Sequence, residues 1–171
     1  MNSRNYIHIV ISFVIYVFIQ VLFLKNLTLF DTAFCFLYVS FILILPLEIG
    51  PLLLIFIGFI MGLTVDIFYD SIGINAAACV FIAFIRPYWL SLITPRGGYE
   101  EVNIPKLKTL GFSWFFAYSL PLIFIHHIVL FYLEAGNMHM FFFTLSKVIF
   151  SSILTFIIVV LSQNMFYRNP L

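Results

Sequence analysis

The chain has 171 residues, of which 64% are hydrophobic and only 9% charged, whereas soluble domains average about 45–50% apolar and about 25% charged residues. This composition excludes a soluble enzyme and predicts an integral membrane protein that leaves little chain for any extramembrane domain. The formal net charge of +1 provides no basic field that would attract nucleic acid.

Apolar runs divide the chain into predicted membrane spans. A lipid-embedded backbone must satisfy its own hydrogen bonds, and the alternating pattern of a membrane barrel is absent, so the spans should be helices of about 20 residues. We predict an all-α, polytopic protein whose residues 1–171 form one bundle, with an uncleaved first span that also acts as the targeting signal. The six predicted spans are residues 6–24, 32–47, 51–69, 74–93, 111–133 and 141–162.

The second span is the one least typical of a membrane-crossing helix. It is short before Pro46 and needs residues 47–49 to complete a crossing, and a proline interrupts helical hydrogen bonding. A tilted or partly re-entrant segment is the alternative.

The distribution of basic residues predicts the orientation. Six spans place both termini on one side, and basic residues accumulate on the cytoplasmic side of membrane proteins. With the termini inside, the cytoplasmic flanks contain Arg4, Arg96, Lys106, Lys108 and Arg168, against Lys25 outside. We therefore predict a multi-pass membrane protein with both termini in the cytoplasm.

A stripe of small residues marks the third span. Gly58, Gly62 and Asp66 recur at every fourth residue and so lie on one face of a helix. Small residues at this spacing allow a second helix to approach closely. Central packing of the third span is the favoured interpretation, and a groove that contacts a ligand is the alternative.

The acidic residues near the end of this span require partners. A carboxylate within the membrane is costly unless it is paired, and Lys147 on the last span lies at a similar depth to Asp66, which predicts a contact between them. Snorkelling of Lys147 to the headgroups is the alternative. Asp70 and Asn75 flank a glycine turn, where they could cap the fourth helix or hold its start against the third.

The remaining polar residues in the spans indicate no reaction centre. Arg86 lies level with Glu48, its predicted partner, although snorkelling is equally consistent with the sequence. His126 and His127 point about 100° apart on a helix and cannot jointly bind one ion, and with His139 they form no zinc motif. Cys35 and Cys79 lie in apolar runs and are interpreted as small buried residues. We predict no enzyme activity and no cofactor.

The longest hydrophilic stretch is the loop over residues 94–111. It contains Arg96, Lys106 and Lys108 beside Glu100 and Glu101. It is the best exposed candidate for contact with a cytoplasmic partner, and a solvated loop that touches lipid headgroups is the alternative.

The stretch from Gly58 to Glu101 resembles the central segment of MreD, the family of bacterial rod-shape-determining membrane proteins. The residues that carry the resemblance are Gly58, Gly62, Leu63, Asp66 and Gly73. Elsewhere the similarity rests on length, the six-span layout and hydropathy.

The resemblance implies a non-enzymatic scaffold of the cell-elongation complex, supporting rod shape and lateral peptidoglycan synthesis. It implies MreC as the main partner, with MreB, RodA and a class B penicillin-binding protein as further members. In that setting Asp66 would either fix the bundle or receive the membrane helix of MreC. The implied fold is similar to the six-helix substrate-binding subunits of energy-coupling-factor transporters, so a vitamin or small-molecule uptake subunit is the alternative function. Such a subunit needs long outer loops over a pocket, whereas the outer loops here are brief.

Overall fold

The first apolar run forms a helix at the edge of the molecule. The computed structural model describes residues 3–99, 102–136 and 141–166. Helix α1, Ser3–Ile19, continues into a π-helical turn over Gln20–Leu24. Only 6% of its most apolar stretch is buried, so the rest of the protein covers little of the surface of α1.

The second apolar run is not a membrane-spanning helix. Strands β1, Thr28–Leu29, and β2, Ala33–Phe34, pair antiparallel, and the only helix in the run is the short α2, Tyr38–Leu43. The predicted helix over 32–47 is therefore wrong, because this range contains the strand Ala33–Phe34, the short helix Tyr38–Leu43 and irregular backbone. Pro46 has no amide hydrogen and clashes with a preceding helical turn, which is consistent with the helix ending before it.

We call residues Ala33–Ile49 the interior segment, because nearly all of them are buried inside the bundle. Its contacts show that it runs back along α1. Cys35 lies beside Gln20, where α1 ends. Further along the segment, the Phe41 ring packs against Phe13 at 5.7 Å between centroids, and Glu48 lines a cavity with His8, near the start of α1.

Two long helices joined by a tight turn pack against each other. Helix α3, Pro51–Tyr69, begins with a proline at its first position, where the missing amide hydrogen is not needed. Asp70 ends α3 in a left-handed conformation, and Gly73, with φ 75°, precedes helix α4, Ile74–Leu92. This short connection places α3 and α4 side by side and antiparallel.

The rest of the chain adds two long helices. A short helix α5, Leu107–Leu110, precedes α6, Phe112–Ala135, and α7 covers Phe141–Phe166. Gly136 ends α6 with φ 61°, as glycine commonly does after a helix. Cys35 and Cys79 are buried and free, as the sequence indicates.

Five helices in the described residues are long and apolar enough to cross a membrane. They coincide closely with five of the six predicted spans. Their most apolar stretches lie within Tyr6–Leu24, Pro51–Tyr69, Ile74–Leu92, Phe112–Ala135 and Phe141–Met165. The fold is thus nearly all-α and compatible with a multi-pass membrane protein.

Candidate functional site

The glycine stripe lies where α3 contacts α4. A β-carbon added to Gly62 would lie 2.5 Å from the Ala76 α-carbon and 2.5 Å from the Asn75 carbonyl oxygen. One added to Gly58 would lie 3.1 Å from the Ala83 β-carbon. The stripe faces the backbone of α4 directly, so this face is filled by protein and forms no open groove.

The close approach brings the Asp66 carboxylate to the first turn of α4. Its Oδ1 accepts hydrogen bonds from the Asn75 amide N–H at 3.0 Å and from the Ser71 hydroxyl at 2.5 Å, and its Oδ2 accepts one from the Ala76 amide N–H at 2.9 Å. The first amides of a helix lack partners within the helix and carry partial positive charge. Asp66 is only 2% exposed, so these donors replace the water that a carboxylate would otherwise require.

The predicted contact between Asp66 and Lys147 is wrong. The Lys147 Nζ lies over the rings of Phe34 and Phe143, at 5.5 Å and 5.1 Å from their centroids. The partners of Asp66 are instead the backbone and side chains at the start of α4. A helix N-terminus stabilises the negative charge without any cation.

Asp70 has a different role from the predicted cap of α4. It is exposed, and its backbone amide closes the end of α3 by donating to the Asp66 carbonyl. Asp66 caps α4 instead, because it shares the face of the two glycines and so points at α4. Asn75 does help to hold the start of α4 against α3, since its Nδ2 donates to Asp66 Oδ1 at 3.0 Å.

A chain of hydrogen bonds connects this turn to the interior segment. The Tyr38 hydroxyl lies 2.7 Å from Asn75 Oδ1 and 3.1 Å from His126 Nε2. Because Asn75 Nδ2 donates to Asp66, Oδ1 is an acceptor and Tyr38 must donate to it. His126 Nε2 then carries the proton and donates to Tyr38. Its Nδ1 has no hydrogen-bond partner within the described residues.

Arg86 binds backbone carbonyls at the other end of the interior segment. Its Nε donates to the Tyr118 hydroxyl at 2.8 Å, and its Nη2 donates to the carbonyl oxygens of Leu43 and Leu45. Tyr118 donates in turn to the Leu43 carbonyl at 2.8 Å. These carbonyls lie at and after the end of α2, where a helix leaves carbonyls unpaired and favours positive charge.

Both sequence-based interpretations of Arg86 are wrong. Its side chain is 2% exposed, which excludes snorkelling. Its described hydrogen-bond partners are Tyr118 and two carbonyls, so Glu48, which is exposed, is not its partner. The break in the helix before Pro46 provides the acceptors that a carboxylate was expected to supply.

Three further polar side chains hold the interior segment, and sequence reasoning missed them. Gln20 donates to the Cys35 carbonyl at 2.9 Å and accepts from the Tyr38 amide at 3.3 Å. On α7, Ser151 and Thr155 accept from the amides of Phe34 and Phe36 at 2.9 Å and 3.1 Å. Irregular backbone at membrane depth is tolerated only where such groups satisfy it. Two sequence features could have indicated these contacts: Gln20 as a lone glutamine in the first span, and the hydroxyl residues Ser151 and Thr155, four positions apart in the last span.

The loop over 94–111 folds back onto the bundle. The Leu47 amide donates to the Asn103 carbonyl at 2.9 Å, which ties the loop to the end of the interior segment. Arg96 and Lys108 are exposed, whereas Lys106 is half-buried, and burial lowers the pKa of its ammonium. Glu100 and Glu101 lie outside the described residues, as do Arg168 and His139.

No three His, Cys, Asp or Glu side chains of the described residues form a group that could hold a metal ion. The Nδ1 of His127 is also occupied, because it donates to the Ile123 carbonyl at 2.7 Å within α6.

In comparisons with known proteins, no family model, no curated protein and no solved structure matches the chain.

Proposed function

We propose that this chain is a non-enzymatic scaffold of the bacterial cell-elongation complex and supports rod shape and lateral peptidoglycan synthesis. Its main partner would be MreC, within a complex that also contains MreB, RodA and a class B penicillin-binding protein. The resemblance to MreD supplies this identification, and the geometry of the resembling residues supports it.

The supporting observation is that the motif residues meet in one structural unit. Gly62 allows α3 to touch α4, Asp66 caps α4, and Gly73 adopts the left-handed conformation of the turn. Gly58 packs in the same contact between α3 and α4, whereas Leu63 is 38% exposed, so four of the five motif residues serve the helical hairpin. Rigid presentation of surfaces to partners is what a scaffold requires.

The polar groups inside the bundle also favour a scaffold over an uptake subunit. The interior segment packs between α1, α4, α6 and α7, and Tyr38 within it is fully buried. A vitamin-binding subunit would need a pocket beneath the outer loops, at the end where Asp66 lies. There the acceptors and donors are occupied by Ser71, Asn75 and the first turn of α4.

We infer that the chain crosses the bacterial inner membrane six times. Five crossings are helices, and the sixth is the interior segment, which runs from the end of α1 back to its beginning. This topology puts both termini on one side, and the basic flanks favour the cytoplasm. The exposed Arg96 and Lys108 would then face MreB.

Because the Asp66 carboxylate accepts four hydrogen bonds from its own hairpin, we assign it to fixing the bundle. MreC would then contact another surface. A partner-binding role for Asp66 would require this internal cap to open.

Affinity purification of the tagged protein in mild detergent tests the proposal. We expect MreC and other elongation proteins to co-purify with the wild type, as identified by mass spectrometry. The matched variants are Asp66→Asn and Asp70→Asn, which remove a buried and an exposed carboxylate from the same turn. Asp70→Asn should retain the partners, and Asp66→Asn should lose them only in proportion to its loss of folded protein.

The alternative function predicts a different set of bound molecules. Recovery of an energising ATPase module without any cell-wall protein, or retention of a vitamin by the purified chain, would replace the scaffold by an uptake subunit. Loss of MreC from a fully folded Asp66→Asn variant would show that Asp66 belongs to the surface that binds MreC.

A further inference from the structure

A cavity of about 350 Å³ opens beside the start of α1. It lies between α1, the end of the interior segment and the loop before α5. Its size falls within the range of about 300–1,000 Å³ that is typical of small-molecule sites. Its polar lining consists of His8, Ser12, Glu48, Asn103 and Lys106. We call it the polar cavity.

A second cavity of about 170 Å³ continues along α1. It shares Ser12 and Ile44 with the polar cavity, and most of its other lining is apolar, including Ile15, Ile19 and Leu37. We call it the apolar cavity. The two cavities adjoin at Ser12 and Ile44, and we call them together the groove. Charged side chains line only the first cavity, beside apolar residues such as Ile9 and Phe41.

The length of the groove along α1 is similar to the thickness of one membrane leaflet. His8 lies near the beginning of the apolar run of α1, which starts at Tyr6. From His8 to Ile19 a helix rises about 16 Å, and half of the hydrocarbon core is about 15 Å thick. The polar cavity therefore lies at the headgroup level, and the apolar cavity reaches towards the middle of the bilayer.

The charges of the polar cavity are mixed. Glu48 contributes a carboxylate and Lys106 an ammonium, and His8 contributes an imidazole that can donate a hydrogen bond. A ligand with an anionic and a cationic group complements this lining better than a purely anionic one, because a purely anionic headgroup would face Glu48 without a partner.

We propose that this groove binds one molecule of phosphatidylethanolamine. Its phosphate lies towards Lys106 and His8, its ammonium donates to Glu48, and one acyl chain follows α1 into the apolar cavity. A primary ammonium has three N–H donors for the carboxylate, whereas the trimethylated amine of phosphatidylcholine has none. Phosphatidylglycerol lacks the cation altogether.

Native mass spectrometry of the full chain released from nanodiscs tests the proposal. The nanodiscs contain equal amounts of phosphatidylethanolamine, phosphatidylcholine and phosphatidylglycerol with identical acyl chains. We expect one retained lipid per chain, with phosphatidylethanolamine retained about tenfold over the others, the factor that one charge-assisted hydrogen bond supplies. Equal retention of the three lipids, preference for phosphatidylglycerol, or no retained lipid would overturn the proposal.

Two pairs of variants locate the site. Glu48→Gln should abolish the preference for phosphatidylethanolamine, whereas Asp70→Asn, an exposed carboxylate outside the cavity, should keep it. Ser12→Phe places a ring where the two cavities meet and should reduce the amount of retained lipid, whereas Val14→Phe on the exposed face of α1 should not.

An unchanged lipid preference in Glu48→Gln would contradict the headgroup assignment even if Ser12→Phe fails to fold. Partner co-purification is a separate readout, so the scaffold proposal stands or falls independently.

Discussion

At the scale of single residues, the charges inside this protein are stabilised mainly by backbone groups. Asp66 meets the amides that begin α4, and Arg86 meets the carbonyls that follow α2. The sequence predicted where these charges lie but assigned both of them oppositely charged partners. Backbone amides and carbonyls are left unpaired where helices begin and end. Which side chains lie beside those helix ends depends on the three-dimensional fold, so these partners cannot be predicted from side-chain identities alone.

Asp66 and Lys147 should contribute independently to stability. We expect Asp66→Asn to lower the free energy of unfolding by about 1–3 kcal/mol, because the new amide nitrogen cannot accept from the α4 donors. Lys147→Met should cost about 0.5–1 kcal/mol from its lost contacts with aromatic rings. The loss of unfolding free energy in the double variant should equal the sum of the two single losses within about 0.5 kcal/mol. Unfolding in mixed micelles measures all three. A coupling energy well above that margin would show that Asp66 and Lys147 do form an ion pair. The control is Asp70→Asn, exposed on the same turn, which should leave the stability nearly unchanged.

Arg86 should not be replaceable by lysine. The planar guanidinium reaches Tyr118 and two carbonyls at once, whereas an ammonium is a single point of charge. We expect Arg86→Lys to lower the free energy of unfolding by about 1–3 kcal/mol. Arg96→Lys, in the exposed loop, is the control and should change it by less than about 0.5 kcal/mol. Equal effects of the two substitutions would show that the carbonyl contacts do not stabilise the fold.

At the scale of secondary-structure elements, the hairpin of α3 and α4 was largely predictable and the interior segment was not. The runs after Pro51 and after Gly73 have the length, the apolar content and the boundary residues of membrane helices. The run over 32–47 is equally apolar, but its side chains face protein instead of lipid. Hydropathy does not distinguish these two apolar surroundings, and only Pro46 signalled the difference.

The α3–α4 contact should be sensitive to one methyl group. Gly62→Ala would place a β-carbon 2.5 Å from backbone atoms that cannot rotate away, and we expect a loss of about 1–3 kcal/mol in the free energy of unfolding. At Gly58 the contact is 3.1 Å, and the gain of about 1 kcal/mol in helix propensity should offset much of the strain.

The control for this series is Gly97→Ala, because nothing lies within 4 Å of its added carbon. Stability should decrease in the order Gly97→Ala, Gly58→Ala, Gly62→Ala. If Gly62→Ala is as stable as the control, the helices do not pack as closely as described.

At the scale of the whole molecule, the proposed topology depends on the interior segment. Five helical crossings alone would leave the termini on opposite sides, whereas a sixth crossing by the interior segment would bring them to the same side. The contacts of this segment with both ends of α1 favour the second arrangement.

Reporter tags at the two termini distinguish these topologies. A short split fluorescent-protein tag at each end should be complemented by a fragment expressed in the cytoplasm, because the proposed six crossings with basic flanks inside would place both ends there. The same tag inserted after Gly136 should stay dark. Fluorescence from only one terminus would mean that the interior segment does not cross the membrane.

The hydrogen bonds of the interior segment also impose an order on biogenesis. The segment leaves the ribosome early, but the hydroxyls that satisfy Phe34 and Phe36 belong to Ser151 and Thr155, near the end of the chain. At synthesis rates of about 5–20 residues per second, those partners emerge roughly 5–20 s later. During that interval the amides of Phe34 and Phe36 lack these partners, and lipid offers no acceptor in their place, so we expect the insertion machinery to shelter the segment until α7 arrives. A nascent chain that stops before α7 is therefore left with an unfinished interior, and membrane quality control would treat it as a misfolded protein.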